Sequence, residues 1–254
     1  MNPHEKYLEE FEDRGFTILP QVLDLDRVAR LREELDCAMK EDLRNRPDVF
    51  DAGMVHNLMT RGDALAEILD HAVMDDFVGR ILGPTYILYA YQSSSLPPSG
   101  SNYGNRIHVD SPRFIPNYCT NVGVIFPLDD FTEENGATHI LPGGHRKPGV
   151  SAEEFDADSE RVLCKRGDMI VFHARSWHRA GTNRTSVTRH AITLNMCRSY
   201  MRQRFDYPRL MGAKAIATLG ERGQRLLGMN VRMPTSLDEF YLPEAERLYK
   251  PNQG

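Results

Sequence analysis

The sequence predicts a mostly β protein with flanking helices (α+β), in which an antiparallel barrel or jelly-roll core lies behind an N-terminal helical layer. Three observations carry that prediction. Residues up to about 84 keep apolar side chains at helical spacing, whereas residues 85–200 switch to short apolar runs. Clusters of Pro, Gly, Asn and Asp separate those runs. Apart from a short stretch at 151–155, no helical pattern interrupts them, and strands joined without crossover helices pair antiparallel.

The first helix is expected over 3–14, with Tyr7, Leu8 and Phe11 on one face and Gly15 as its stop. Phe16 to Pro20 reads as a short strand. Asp24 can cap a long amphipathic helix whose Leu25, Val28, Leu31, Leu35 and Met39 share a face. Residues 45–61 read as an irregular connection, and 62–82 as two shorter helices ending at Gly83-Pro84. Strands are expected at 85–92, 106–110, 120–128, 137–141, 161–164, 168–173 and 187–197. Helix returns near 212–227, and a Pro-punctuated tail follows. With no internal repeat and no linker, residues 1–254 are expected to form one domain: a helical layer (about 1–84), a β core (about 85–200) and a C-terminal helix and tail (about 201–254).

A net charge of −5 gives no general attraction to nucleic acid or anionic membrane. Neither a run of about 20 apolar residues nor a hydrophobic leader segment is present, so no membrane span or secretion signal is expected. Cys37, Cys119, Cys164 and Cys197 are widely separated and form no C-x-x-C pair, which suits reduced, mostly buried thiols and a cytoplasmic location. The expected partner is a small molecule, with the oligomeric state left open.

The chemistry centres on Arg106-Ile107-His108-Val109-Asp110, which follows a Ser/Pro/Gly/Asn-rich loop. On a strand, His108 and Asp110 project to the same face. By itself a His-x-Asp triplet reads equally as two outward polar residues. With one more His from elsewhere it becomes the 2-His-1-carboxylate set of non-haem iron(II), which leaves coordination positions open. His178 is the chosen third ligand, because it follows the apolar strand ending at His173. His173 itself is the competitor, placed on that strand. Arg189 stands eleven positions after His178. Alternation puts Arg189, Ala191, Thr193 and Asn195 on one face, and an inward guanidinium needs a carboxylate or phosphate partner. A dicarboxylate cosubstrate would meet that need.

With these residues in place, the sequence resembles the phytanoyl-CoA hydroxylase (phytanoyl-CoA dioxygenase) family of Fe(II)/2-oxoglutarate-dependent oxygenases. The resemblance rests on His108-x-Asp110, His178 and Arg189, on Leu128-Asp-Asp-Phe-Thr-Glu-Glu-Asn-Gly-Ala-Thr138-His-Ile-Leu-Pro-Gly-Gly-His-Arg146, and on His178-Arg-Ala-Gly-Thr-Asn183-Arg184. It covers roughly residues 7–200 and implies a double-stranded β-helix (cupin-like) core. It further implies iron held by His108, Asp110 and His178, the C5 carboxylate of 2-oxoglutarate on Arg189, and Thr138 and Asn105 near the cosubstrate's other end. Phe126 falls where an aromatic often lines the pocket. The implied reaction consumes O2 and 2-oxoglutarate, releases CO2 and succinate, and hydroxylates, desaturates or cyclises a C–H position.

For the substrate, the residues after Gln92, the loop around Tyr103, Arg113 with Phe114, and Arg198 to Arg202 are expected at the mouth; the arginines would suit an anion. The remaining histidines and glycines read as structural: His139 and His145 flank a turn, and Gly136, Gly143 and Gly144 serve tight turns. Two other classes stay open, a non-oxidative cupin-like metalloenzyme and a non-catalytic binding protein. Arg189 and the Asn-Gly-Ala-Thr segment argue against the first, and an intact triad against the second.

Overall fold

Gly15 turns the chain from helix into sheet. It ends α1 (Glu5–Arg14) at φ 82°, a left-handed conformation natural to glycine, and leads directly into β1 (Phe16–Leu19). A Cβ at this glycine would lie 2.3 Å from Nδ1 of His145, so the site is closed to side chains sterically as well. This computed structural model describes residues 4–46, 48, 51 and 53–253; the expected helix start at residue 3, and residues 47, 49, 50 and 52 of the expected irregular connection, lie outside them.

Asp24 caps α2 (Leu25–Asn45), its side chain accepting from the Arg27 N–H at 2.7 Å. Val28, Leu31, Leu35 and Ala38 are its buried stripe. At about 1.5–3 kcal/mol for each large apolar side chain, burial holds this helix far more firmly than propensity does. Leu25, expected on that face, is 60 % exposed because it opens the helix ahead of the first packed turn. The pattern over 62–82 resolves into α3 (Asp63–Glu67), a 3-10 turn (Ile68–Asp70) and α4 (Ala72–Leu82).

The β core comprises β2 (Ile87–Ser93), β3 (Asn121–Pro127), β4 (His139–Ile140), β5 (Glu160–Arg161), β6 (Met169–His173), β7 (His178–Arg179) and β8 (Ala191–Cys197), with α5 (Ala152–Asp158) leading into β5. All pairings are antiparallel, in a five-stranded sheet ordered β1-β6-β3-β8-β2 and a three-stranded sheet ordered β5-β4-β7. One face of the larger sheet packs on the helices through Val122, Val124, Phe126, Ile192, Leu194 and Met196. Its other face, through Ile125, Ile170, Phe172 and Ala191, joins Ile140 of the smaller sheet in a second core. β3 is therefore buried along its whole length.

Two differences from the expected strands bear on the site. Residues 106–110 make only one bridge, His108 to His178, and Arg189 bridges Leu96 before β8 begins. After β8 come α6 (Tyr207–Ile216) and α7 (Glu221–Leu226), a pair where one helix was expected, and then α8 (Leu237–Phe240) in the tail. Among the described residues no helix is long and apolar enough to cross a membrane. All four cysteines are free; burial pushes the Cys119, Cys164 and Cys197 thiols up to about 12, while Cys37 is exposed.

Candidate metal centre

A single β-bridge assembles the two imidazoles. His108 and His178 exchange both backbone hydrogen bonds, each 3.0 Å, which stands their rings side by side with centroids 4.2 Å apart. Each Nδ1 faces a backbone carbonyl two residues earlier: Arg106 at 2.7 Å for His108, and Ser176 at 2.9 Å for His178. A carbonyl only accepts, so each Nδ1 carries a proton, and in the neutral ring Nε2 is then the nitrogen that presents a lone pair. Asp110 Oδ1 lies 3.6 Å from Nε2 of His108 and 3.8 Å from Nε2 of His178, and all three atoms fall within 4.8 Å of one another. Burial lowers the pKa of His178, with the Asp110 carboxylate opposing, which keeps the imidazole neutral and ready to ligate. Two imidazole nitrogens, fixed from behind by carbonyls, and one carboxylate oxygen fit a divalent metal with open positions.

His173 has a different task. Its ring stacks on Phe11, with His145 5.3 Å away, and its Nδ1 accepts from the Arg175 N–H at 2.9 Å. Burial, with the neighbouring His145 and Arg175 adding to it, depresses its pKa to about 4. Neither His139 nor His145 joins the metal-binding group.

The triad opens into a cavity of about 730 Å³ whose wall includes Ser94, Asn102, Tyr103, Val109, Ile125, Thr138, Phe172 and Thr193. Phe172 packs on the His178 ring at 5.0 Å between centroids. It has room because Gly123 faces it across the strand pair; a Cβ there would lie 2.1 Å from the phenyl Cζ.

Arg189 is 2 % exposed and is not itself on that wall. Its Nη2 donates to the Ser94 carbonyl at 3.1 Å, and its guanidinium lies over Phe131 at 4.1 Å. Nε and Nη1 have no partner. Burial pulls its pKa down to about 9, against the opposing charge of Asp129, so it stays protonated at neutral pH. A buried cation with two idle donors beside a cavity is a built demand for an anion.

The flanking motifs explain how these parts stay together. Asn183, fully buried, donates to the carbonyls of Leu96, Pro97 and Val187, tying the loop after β2 to the chain that leads to Arg189. Gly136 sits at φ 81°, where a Cβ would be 2.5 Å from Leu96. A Cβ on Gly181 would be 2.7 Å from the Ala137 carbonyl, so the two glycine segments touch and hold Thr138 near His178.

Several expected positions fall elsewhere. Phe126 points to the helical layer, near His71 at 6.1 Å, and Ile125 takes the cavity side, because alternation gives adjacent residues opposite faces. Asn105 is exposed and borders a second recess of about 360 Å³ with His139, Arg161 and Arg179, whereas Asn102 lines the main cavity. Arg113 and Arg202 are exposed and off the cavity wall, and Phe114 stacks on Arg175. Arg198 is committed to the carbonyls of Cys119 and Leu82 and to the Tyr118 ring. Of the expected mouth, Tyr103 and the residues just after Gln92 (Ser93 and Ser94) do line the cavity; Asp42, Arg46, Asp51, His56 and Arg204, which no sequence pattern marks, line it with them. No periodicity links those residues; only the fold brings the end of α2 to the segment after β8.

The chain is thus an antiparallel two-sheet scaffold that brings together a 2-His-1-carboxylate group able to hold a metal ion. Residues 11–191 match the model of the family described as Phytanoyl-CoA dioxygenase (PhyH). The chain belongs to that family. Uncharacterized protein Rv1501 of Mycobacterium tuberculosis is 31 % identical over 254 residues, covering 94 % of this chain and 92 % of that one. Dioxygenase sphC of Aspergillus fumigatus is 23 % identical over 256 residues, covering 91 % and 69 %. Among solved structures, the epimerase SnoN from nogalamycin biosynthesis, in complex with Fe3+, alpha ketoglutarate and nogalamycin RO, superposes with a TM-score of 0.62. The identity is 19 %, with 76 % of this chain and 82 % of that one covered, and the likeness is one of fold.

Proposed function

We propose that this protein is an iron(II)- and 2-oxoglutarate-dependent oxygenase that hydroxylates, desaturates or cyclises a C–H position of a small molecule. On this reading the two facing sheets are the halves of a double-stranded β-helix. The observation that carries it is the pairing of the His108–Asp110–His178 group with the buried, under-partnered Arg189 on one scaffold. A cupin-like metal site without oxidation has no use for that cation, and family membership supports the same choice.

His108, Asp110 and His178 would hold the metal, leaving its remaining positions toward the cavity. Arg189 would take the far carboxylate of 2-oxoglutarate through its idle Nε and Nη1, and the buried Thr138 hydroxyl on the wall would donate to the same molecule. Once bound, iron, 2-oxoglutarate and O2 supply an oxidant strong enough to break an unactivated C–H bond, with succinate and CO2 as coproducts. The protein's share is placement and exclusion of water: Val109, Ile125 and Phe172 wall the centre with apolar surface.

A cavity of about 730 Å³ exceeds what 2-oxoglutarate alone needs and leaves room for a substrate. Of the lining cations, Arg46 lies 4.0 Å from Asp42, which Arg61 also holds. Arg204 has no acidic partner among the described residues; its Nη1 donates to Gln92 at 3.0 Å. The mouth thus suits an anionic substrate. R204Q is expected to raise the KM for such a substrate about tenfold, the worth of one charge-assisted hydrogen bond, with kcat little changed. An unaltered KM would take Arg204 out of the substrate site.

Anaerobic addition of Fe(II) and then 2-oxoglutarate tests the reading as a whole. A weak visible charge-transfer band is expected only when both are present. Its absence, with metal bound, would favour a non-oxidative metalloprotein; no metal uptake at all would favour a binding protein.

A further inference from the structure

We infer that Asn195, held in turn by Asn121, is a positioning residue that selects which oxygen of Asp110 faces the metal; the inference rests on the metal-centre reading above. Both asparagines sit on the inner face of the larger sheet, 9 % and 4 % exposed, close to Ile125 and Phe172. An amide buried beside apolar side chains is costly unless its hydrogen bonds are met. The partners these two find form a short relay. Asn121 Nδ2 donates to Asn195 Oδ1 at 3.0 Å, and Asn195 Nδ2 donates to Asp110 Oδ2 at 3.4 Å.

The direction of the relay is fixed by chemistry. An ionised carboxylate only accepts, so Asn195 must turn its NH2 toward Asp110. Its carbonyl then points at Asn121, which supplies the donor that holds it there. Without Asn121 the Asn195 carbonyl loses its donor, and the amide is held by the carboxylate alone. The two oxygens of Asp110 consequently divide their work: Oδ2 is tied to the sheet, and Oδ1 stands 3.6 and 3.8 Å from the two Nε2 atoms. Asp110 is thereby set to bind through one oxygen, sparing the coordination position that a two-oxygen grip would take. The relay matters because Asp110 lies beyond the single bridge at His108 and has no regular strand to fix it.

The test is the Fe(II) dissociation constant, measured anaerobically, together with the electron paramagnetic resonance of the nitric oxide adduct, which reports ligand geometry. Asn195→Leu keeps the branching and the number of side-chain heavy atoms and removes the donor; Asn121→Leu leaves Asp110 untouched and only releases the Asn195 amide. N195L is expected to weaken Fe(II) binding about 10- to 100-fold and to alter the resonance, as loss of a partner to a metal ligand does. N121L should change both in the same direction by less, and metal-free N195L, which strands the buried Asn121 amide, should melt somewhat lower than wild type. Wild-type affinity and an unchanged resonance in both variants would overturn the inference. So would a lower melting temperature in the metal-free variants with unchanged Fe(II) affinity, since the asparagines would then serve only packing. A wild-type protein that takes up no Fe(II) would overturn the metal-centre reading, and this inference with it.

Discussion

His178→Ala is expected to abolish iron uptake, whereas His173→Ala should leave it within a few-fold. Removing His178 takes one of three donors, and two remaining donors do not outcompete water for a hydrated divalent ion. Its partner across the bridge makes the loss more complete, because His108 packs against the missing ring at 4.2 Å and would gain freedom to turn. His173, by contrast, sits among Phe11, His145 and the Arg175 N–H. Truncating it should cost stability by opening a void and stranding that N–H, at roughly 2–3 kcal/mol, without touching a ligand. Metal content after reconstitution and desalting decides the matter. Equal loss in both variants, with folding intact, would mean that His178 is no more a ligand than His173.

Arg189→Ala should raise the 2-oxoglutarate requirement about 30- to 1,000-fold while leaving iron affinity nearly intact. The separation follows from placement: Arg189 is buried behind the cavity wall, at Ser94, and makes no contact with the triad. Loss of a charge-assisted, two-pronged contact to a desolvated carboxylate is worth about 2–4 kcal/mol, which converts to that range. Arg189→Lys should recover only part of the affinity, since an ammonium keeps the charge and loses the fork. Titrating 2-oxoglutarate into the anaerobic Fe(II) protein measures the constant directly. A value unchanged in R189A would remove Arg189 from the cosubstrate site and leave its idle donors without a purpose.

The parts of the site that were legible in the sequence are those where local chemistry forces an answer. His108 and Asp110 are two residues apart, and Arg189 stands out by its place eleven positions after His178 in the family-like pattern and by the acid that an inward guanidinium demands. Phe126 was misread for a physical reason. All of β3 is buried, with helices on one side and the second core on the other, so hydrophobicity does not reveal which parity faces the cavity. Arg198 misled because an arginine can spend its donors on backbone carbonyls, which leave no trace in sequence. The rest of the mouth was invisible for another reason: Asp42, His56 and Arg204 come to one cavity only through tertiary packing. The helices were plain from their 3.6-residue stripes, although one expected C-terminal helix became two.

Gly123 gives the centre a mechanical weakness as well as room. His178, the proposed metal ligand, rests against Phe172, and Phe172 in turn rests on a position with no side chain. Any added atom at residue 123 would be driven into the phenyl ring, and close-packed interiors pass such a displacement on instead of absorbing it. The imidazole lies next in line. A residue that is neither ligand nor cavity wall thereby holds leverage over the coordination sphere, and the sheet tolerates there only the smallest amino acid.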